Sequence, residues 1–424
     1  MPRPLYNKVY EKYKKGGFVE LIGSGLDKFI FHPFTDSFIY PYVDKKVISN
    51  KELKRMCCKR DDVWEYSTTI DLSFSFPNQD NSDKYFNNPR EGIDFSPRCV
   101  CELPNATLLA PWGLVRTESG NWVLESAKHP FFIKNFTREK PIQLLLKSLQ
   151  LDSNITNRSS YNSSQYDRVM SMVNHSNQGN YQYGHWLVEY LPKLLGLSIY
   201  EKRTGNKPDI LLSNNPPKWV VKSLQLLGYG KDRILEWTTQ SASIDNLILP
   251  ITSRNHGDIK QNSFSPIEHQ WLQTQFRDAA DSDSHSDQMR IFASRQGFDN
   301  RSIDNFEQVR PILEEYNFTI IRPEELDFVE QLNLYAKSSI ILGVRGSSLH
   351  SMIFAQDADI CEIFPPAGHT AQNYVLANGL GHTYWYLTGE MRRESVKTTY
   401  GYIPFQVDPE AFQTWIDQVV ENSK

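Results

Sequence analysis

Between residues 290 and 378, short apolar segments alternate with longer amphipathic ones. The apolar segments have the length of strands, and each precedes a segment with helical periodicity. Strands that alternate with helices form a parallel sheet covered by helices on both faces. The pattern therefore predicts an α/β fold with a doubly wound parallel sheet. Its strands are predicted at 290–294, 318–321, 339–343 and 359–364, and its helices near 306–315, 328–337, 348–355 and 371–378.

A looser alternation of the same kind precedes this region. Residues 281–287, which separate the two regions, have the polar composition of a hinge. We therefore expect two Rossmann-like domains that face a central cleft. In the earlier region, helices are predicted at 185–200, 219–227 and 267–276, and strands at 209–213, 233–237 and 244–249.

The predicted domain boundaries follow these patterns. Residues 1–100 form an N-terminal extension without a clear pattern, 101–285 the first α/β domain and 286–400 the second. The remaining residues, 401–424, include an amphipathic helix at 408–420 that is expected to pack back on the body. Residues 153–165 are polar and low in complexity, which is typical of a surface loop.

The charge balance excludes one class of partner. Lys and Arg total 46 and Asp and Glu total 50, so the net charge is -4 and no nucleic acid partner is expected. No apolar run reaches the roughly 18 residues of a membrane-spanning helix, and the N-terminus lacks the apolar core of a signal peptide. A cytoplasmic location is expected. The alternative is peripheral attachment to a membrane through the basic-flanked pair Cys57 and Cys58.

One segment carries several functional signals together. An apolar run ends at Gly343, and Gly346 follows three residues later. Ser347 and Ser348 then open an amphipathic segment. This order predicts a strand, a tight turn and a serine-capped helix. The turn and the positive helix end favour an anion, and Arg345 adds a fixed positive charge.

A carboxylate follows one βα unit later. Glu362 lies sixteen residues after Gly346, in the next predicted strand. An anion site with a carboxylate at this distance suits a phosphorylated ligand that bears sugar hydroxyl groups.

Two arginines follow the first strand of the second domain. Arg295 comes directly after the strand, Arg301 comes six residues later, and Asn305 is placed to cap the next helix. Two guanidinium groups at one strand end suit a diphosphate. The alternative is a surface loop with salt bridges to Asp299 and Asp304. Spacing alone supports both interpretations equally.

A histidine and a glutamate have helical spacing in the first domain. His185 and Glu189 are four residues apart, so a helix would place them on one face, where the carboxylate can orient the imidazole or act as a base itself. Gly184 allows a close backbone approach, and Pro192 predicts a kink or break. The alternative is an ordinary pair that stabilises a core helix.

No catalytic metal and no further cofactor are predicted. The triplet Asp281-Ser282-Asp283 resembles a metal-binding motif, but it lies in the acidic hinge. Histidines elsewhere in the chain form no set with ligand spacing: His32, His129, His256 and His269.

Taken in order, these motifs resemble glycosyltransferase family 61 over roughly residues 180–390. The resemblance rests on the order and spacing of several short motifs. They are Gly184-His185-Trp186-x-x-Glu189-x-Leu191-Pro192, Ser294-Arg295, Arg301-x-Ile303-x-Asn305-x-Glu307, Gln331, Gly343-x-x-Gly346-x-x-Leu349, Phe354 and Glu362.

The resemblance implies a GT-B fold and inverting, metal-independent transfer of a sugar from a nucleotide sugar, expected to be UDP-linked, to a glycan acceptor in polysaccharide or glycan biosynthesis. It implies that His185 and Glu189 face the acceptor and that Glu362 binds the ribose. It also implies a donor site. Arg295 and Arg301 would hold the diphosphate with Asn305 beside them, and the turn at Gly343, Arg345, Gly346, Ser347 and Ser348 would meet the nucleotide.

One position departs from the family pattern. The family usually has a histidine where this chain has Arg345. Arginine keeps the positive charge but does not shuttle a proton. If the position contacts phosphate, arginine serves as well; if it supplies the base, the chain is an impaired relative that binds glycan or nucleotide without transfer. A third interpretation, another nucleotide-binding α/β enzyme, lacks support because the chain has neither G-x-G-x-x-G after a first strand nor G-x-x-x-x-G-K-[ST].

Overall fold

Two sheets and their helices make up the described part of the chain. The predicted hinge at 281–287 and most of the predicted N-terminal extension lie outside the described residues. Among the described helices, none is long and apolar enough to cross a bilayer. All five cysteines are free thiols. The computed structural model describes residues 47–58, 62–66, 70–72, 93–95, 98–127, 163–173, 181–251, 266–280, 288–298, 300–366, 369–390 and 404–423 of the 424.

The first sheet is mixed. Its strand order is β1-β7-β6-β5-β11-β8-β9-β10, with β2 paired to β5, and β3 and β4 form a separate ribbon. β11 pairs antiparallel with β5 and parallel with β8. The strands are β1 (Val47–Ile48), β2 (Val63–Glu65), β3 (Ile70–Leu72), β4 (Ile93–Phe95), β5 (Cys99–Leu109), β6 (Leu114–Arg116), β7 (Trp122–Val123), β8 (Ser163–Ser171), β9 (Asp209–Ser213), β10 (Ile234–Trp237) and β11 (Ser241–Ile251).

The first sheet and the helices up to Ala279 form what we call the first unit, and the second sheet with the helices after it forms the second unit. The predicted strand at 209–213 is confirmed, and the predicted helix at 219–227 is found one residue earlier. The helices are α1 (Asn50–Cys58), α2 (Leu124–Ala127), α3 (Tyr183–His185), which continues as a π-helix (Trp186–Tyr190), α4 (Lys193–Thr204), α5 (Lys218–Leu226) and α6 (Pro266–Ala279), with a 3-10 turn at Lys231–Arg233.

The second sheet is entirely parallel and has the order β13-β12-β14-β15-β16. Every residue of β15 is buried, because helices cover both faces of the sheet. This burial explains why most residues of β15 are apolar. The parallel strand order and the helices on both faces confirm the predicted doubly wound sheet. The strands are β12 (Met289–Ala293), β13 (Phe318–Ile321), β14 (Ser338–Val344), β15 (Asp359–Phe364) and β16 (Thr383–Thr388).

Helices of the second unit begin where the sequence supplies caps. Asp327 accepts hydrogen bonds from the N–H groups of Val329 and Glu330 and so starts α8. Asp408 caps α10 by accepting from Ala411 N at 2.8 Å. The helices are α7 (Phe306–Glu315), α8 (Phe328–Ala336), α9 (Gln372–Gly379) and α10 (Pro409–Asn422), with 3-10 helices at Pro323–Glu325 and Ser347–Phe354.

Helix α6 joins the two units. Its His269 ring contacts Val188 O at 3.1 Å in the first unit. Its Gln273 Nε2 donates to Ala355 O at 2.7 Å in the second. Phe276 packs edge-on against Phe354 with ring centroids 4.9 Å apart. One apolar core therefore runs from the first unit through α6 into the second.

Two features of the fold differ from the predictions. The loop predicted at 153–165 is wrong for its last three residues, because β8 begins at Ser163. These polar residues pair with β11 through their backbones at a solvent-exposed end of the sheet, where composition does not reveal a strand. Strands β1 and β2 also join the first sheet, so this unit starts before the expected boundary at residue 101.

A buried ion pair ties the segment before β5 to α6. Arg98 Nε lies 3.2 Å from Glu268 Oε1, and these side chains are 2 % and 1 % exposed. The Tyr66 hydroxyl donates to the same oxygen at 3.2 Å. Removing one member of such a pair leaves the other charge buried without compensation.

We expect Arg98→Met to lower the free energy of unfolding by about 3–5 kcal/mol, because Glu268 stays buried without its partner. Urea denaturation followed by circular dichroism measures the change. The control is the double variant Arg98→Met/Glu268→Leu, which should recover most of the loss. A single variant as stable as the wild type would contradict the assigned role of the pair.

Candidate active site

The site forms where the order of the second sheet reverses. β13 and β14 lie on opposite sides of β12, so the loops after β12 and β14 diverge at the carboxyl ends of adjacent strands. Ligands of open α/β sheets bind at such a switch point. Arg295 follows β12 and Arg345 follows β14, so both arginines border this crevice.

Gly343 belongs to the strand and not to the turn. β14 runs on to Val344, and Gly343 is buried within it. A Cβ atom at this position would lie 3.2 Å from Leu349 Cδ2 and 3.3 Å from Ala293 Cβ. Gly343 therefore serves the close packing of adjacent strands and of the helix that follows, and its expected contact with the nucleotide stays a prediction.

The segment predicted as a serine-capped α-helix is a 3-10 helix, Ser347–Phe354, and its N-cap residue is Gly346. The period of three residues explains the difference, because it places the buried side chains of Leu349 and Met352 on one line. Ser348 Oγ is buried and has no hydrogen-bond partner among the described residues.

A cavity of about 930 Å³ lies between the two units. Volumes of this order are typical of ligand pockets, which hold mostly apolar walls and a few polar groups. Helix α5 and Tyr183 form its wall on the side of the first unit, and the crevice forms the other wall. Its lining includes Tyr183, Trp219, Lys222, Arg295, Phe298, Asp327, Gln331, Ser347 and Ser348.

Arg295 is fixed in this larger cavity. Its Nη2 donates to Asn300 Oδ1 at 2.7 Å, and its guanidinium carbon lies 5.1 Å from the ring centroid of Phe298. A Cβ atom at position 346 would lie 2.9 Å from Arg295 Nη1, so Gly346 makes room for the guanidinium. Burial lowers the pKa of Arg295, and the nearby Glu324 opposes this shift.

A second cavity, of about 450 Å³, adjoins the first. Tyr183 and Ser347 line both cavities. The smaller cavity brings together predicted site residues from the two units. The residues of one unit lie more than a hundred positions from those of the other in the sequence. Its lining includes His185, Glu189, Arg301, Arg345, Gly346, His350 and Asn373.

His185 and Glu189 form a close pair on the wall of the first unit. His185 Nδ1 lies 2.9 Å from Glu189 Oε2. The imidazole is 42 % exposed, whereas the carboxylate is 6 % exposed. The buried carboxylate can therefore orient the ring, which lines the smaller cavity.

A π-helix holds this pair, and Pro192 explains it. A proline has no N–H, so Val188 O lacks its usual α-helical donor four residues on. His269 contacts that oxygen at 3.1 Å instead, and Leu191 N bonds to Trp186 O at 2.9 Å with π spacing. The break predicted at Pro192 is confirmed, since α4 begins directly after it.

Arg301 and Arg345 occupy the opposite wall of the smaller cavity. Arg301 has a left-handed φ of 57°. Its Nη1 donates to Arg345 O at 3.0 Å, and Arg345 N donates to Ile363 O at 2.9 Å. The structure thus separates Arg301 from Arg295, which lines the larger cavity. Asp299, the partner in the alternative salt-bridged loop, lies outside the described residues.

The sequence reasoning missed His350. This half-buried histidine lies three residues after Ser347, which is the repeat of the 3-10 helix. Burial lowers its pKa to about 4, and the charge of His185 contributes in the same direction. A Cβ atom at position 184 would lie 2.7 Å from His350 Nδ1, so Gly184 permits the close approach of the two units.

Glu362 lies in the interior, with protein groups bonded to both of its carboxylate oxygens. It is 1 % exposed, and its two oxygens accept hydrogen bonds from Asn373 Nδ2 at 2.8 Å and from the Tyr384 hydroxyl at 2.5 Å. Burial raises its pKa to about 7, although these bonds and the arginine charges oppose the shift. The neighbour that reaches the smaller cavity is Asn373, which the sequence reasoning also missed because it lies on a separate helix.

Asn305 takes the N-cap position of α7, as predicted, but its side chain points elsewhere. Its Nδ2 donates to Val407 O at 2.7 Å, and its Oδ1 accepts from Val407 N at 2.9 Å. Its amide therefore holds the segment that leads into α10, and the expected role of Asn305 in the donor site stays a prediction.

Fold and site together define a mixed α/β protein with a ligand cleft at the switch point of a parallel sheet. Residues 183–361 match the family model Glycosyltransferase 61. The matched region includes the His185–Glu189 pair and the three arginines of the two cavities. The match confirms the resemblance to glycosyltransferase family 61 over this region, and that family comprises enzymes that move a sugar from a donor to an acceptor. No curated protein matches the chain.

The raised pKa of Glu362 predicts a pH dependence of stability. Burial raises this pKa from 4.5 to about 7. Between these values the folded state keeps a proton that the unfolded state has released, so the free energy of unfolding falls as the pH rises. Glu362→Gln removes this effect. We expect the variant to gain about 3 kcal/mol relative to the wild type between roughly pH 4 and pH 8.

Urea denaturation of both proteins over this pH series measures the difference. Other titrating groups cancel in the comparison, because both proteins contain them. A difference between the two proteins that stays constant with pH would show that folding does not shift the pKa of Glu362.

Proposed function

We propose that the protein is an inverting glycosyltransferase that takes its sugar from a nucleotide-sugar donor without a catalytic metal. Its two units would form a GT-B arrangement, with the acceptor on the first and the donor on the second. The observation that carries the proposal is the smaller cavity. The first unit contributes His185 and Glu189 to it, and the second contributes Arg301 and Arg345.

The nucleoside is proposed to occupy the larger cavity, with its diphosphate at the junction with the smaller one. Arg295 Nε and Ser348 Oγ are buried there, and neither atom has a hydrogen-bond partner among the described residues. Buried donors without partners cost free energy until a ligand satisfies them, and phosphate oxygens suit both. Ser347 lines both cavities, so the diphosphate is proposed to lie beside it.

The arginines are proposed to stabilise the leaving group. When the glycosidic bond breaks, its electron pair moves to the diphosphate oxygen and negative charge develops there. Arg301 and Arg345 line the cavity in which this charge would appear. A preorganised donor in such a position stabilises the transition state by on the order of 3 kcal/mol. Two or three arginines together can therefore take the role that a metal ion would have. This assignment makes Arg345 a phosphate contact, for which arginine serves as well as histidine.

His185 is proposed as the general base, with Glu189 as its positioning residue. The hydroxyl group of the glycan acceptor transfers its proton to the exposed nitrogen of His185. The acceptor oxygen then attacks the anomeric carbon from the face opposite the diphosphate, which inverts the configuration. The difference in exposure between imidazole and carboxylate supports this order of roles. UDP is the proposed nucleotide, and polysaccharide or glycan synthesis is the proposed setting.

A thermal-shift screen against UDP-, GDP-, CMP- and dTDP-linked sugars tests the donor class, because stabilisation grows with ligand concentration over Kd. One nucleotide series is expected to raise the Tm at millimolar concentration. Arg295→Ala should weaken its binding by about 10- to 100-fold through the lost charge-assisted contacts. Arg310→Ala is the control, since Arg310 pairs with Glu307 on the exposed face of α7. No shift with any nucleotide sugar would contradict the proposal.

The acid–base assignment predicts a separate effect on turnover. Glu189→Gln is expected to lower kcat by about 10²–10⁴ while nucleotide affinity stays unchanged, because the amide no longer stabilises a charged imidazole. Steady-state kinetics with the donor found in the screen measures this change, and Glu307→Gln is the matched surface control. Wild-type turnover in the Glu189 variant would remove the pair from the mechanism.

A further inference from the structure

Asn373 lines the smaller cavity and carries a side-chain oxygen that no described residue bonds. The residue lies on α9 and is 4 % exposed. Its Oδ1 is buried and has no hydrogen-bond partner among the described residues. Asn373 also lines the cavity of about 450 Å³ beside Arg301, Arg345 and the His185–Glu189 pair.

Glu362 fixes which end of the amide faces the cavity. Asn373 Nδ2 donates to Glu362 Oε1 at 2.8 Å. This bond uses the NH₂ group of the amide, so the Asn373 oxygen is directed away from Glu362. The Tyr384 hydroxyl holds the second carboxylate oxygen at 2.5 Å. The buried trio therefore presents a hydrogen-bond acceptor of fixed orientation.

A buried acceptor in this position requires a donor from the ligand. The cavity is otherwise rich in cationic donors, which suit phosphate, whereas a carbonyl oxygen suits a hydroxyl group. Asn373 belongs to the same unit as Arg301 and Arg345, on the wall opposite His185. A sugar attached to the diphosphate would lie between these two walls.

We propose that Asn373 is a specificity-determining residue that accepts a hydrogen bond from one hydroxyl group of the transferred sugar, and that Glu362 is the positioning residue that orients it. This inference rests on the proposed function and deepens it, because it names the part of the donor that the cavity recognises. It also gives Glu362 an indirect role in place of the direct contact with ribose.

The test uses isothermal titration with three probes. They are the nucleoside diphosphate identified by the thermal-shift screen, its nucleotide sugar, and the analogues of that sugar that lack one hydroxyl group each. The wild type should bind one deoxy analogue about 5- to 10-fold more weakly than the parent, the usual value of one hydrogen bond. Asn373→Ala should bind the nucleotide sugar weaker by the same factor and bind the nucleoside diphosphate as the wild type does. It should also lose the discrimination against that analogue.

Glu362→Gln provides a second, independent variant. Glutamine can donate to Asn373 Oδ1, so the asparagine amide is expected to turn over and present its NH₂ group to the cavity. This variant keeps the side chain of Asn373 but should lose the same discrimination. Asn378→Ala is the control, because Asn378 lies on the same helix and bonds to Tyr374 O at 2.9 Å.

Three outcomes would overturn the inference. They are a wild type that binds every deoxy analogue equally, an Asn373→Ala variant that weakens the nucleoside diphosphate as much as the nucleotide sugar, and an effect confined to the KM of the acceptor. The wild-type measurement decides the matter even if a variant does not fold. If no nucleotide sugar binds the wild type, the proposed function fails and the inference fails with it. If nucleotide sugars bind and the discrimination is absent, the inference alone fails.

Discussion

The close contact between Gly184 and the 3-10 helix Ser347–Phe354 is the constraint on which the site depends. Any side chain at position 184 would collide with His350 and with Ser347, each 2.7 Å from the Cβ position. This contact brings the first unit against the carboxyl end of β14. Because Tyr183 and Ser347 line both cavities, the same contact determines where the two cavities meet. A wider separation would remove the His185–Glu189 pair from the arginines.

Charge is distributed unequally across this contact. The second unit presents Arg301 and Arg345 on the surface of the cavity, while its carboxylate, Glu362, lies beneath them and is 1 % exposed. Burial separates that carboxylate from the cavity, and Asn373, which donates to it, lines the cavity with a neutral amide. The result is a cationic wall that includes a neutral amide, a combination that suits a sugar linked to a diphosphate.

Much of the second sheet could be predicted from sequence because its central strands are buried on both faces. β13 and β15 have the predicted bounds, since a mostly apolar segment of strand length has few alternatives in that setting. For the site residues, predictability depended on whether their contacts are local in the sequence. His185 and Glu189 were predictable because helical spacing is local. Asn373 and Tyr384 were not, because their contacts with Glu362 join three elements that meet only in the folded chain. His350 depended on a 3-10 repeat that composition does not distinguish from an α-helix.

Helix α6 gives the cleft a mechanical property. It is fastened to the π-turn through His269 and Val188, and to the second unit through Gln273 and Ala355. A hinge motion that separates the units must strain one of these two attachments. The attachment on the first unit ends one residue before Glu189, so widening the cleft would pull on the backbone that carries the His185–Glu189 pair. The width of the cleft and the alignment of this pair are therefore coupled through α6.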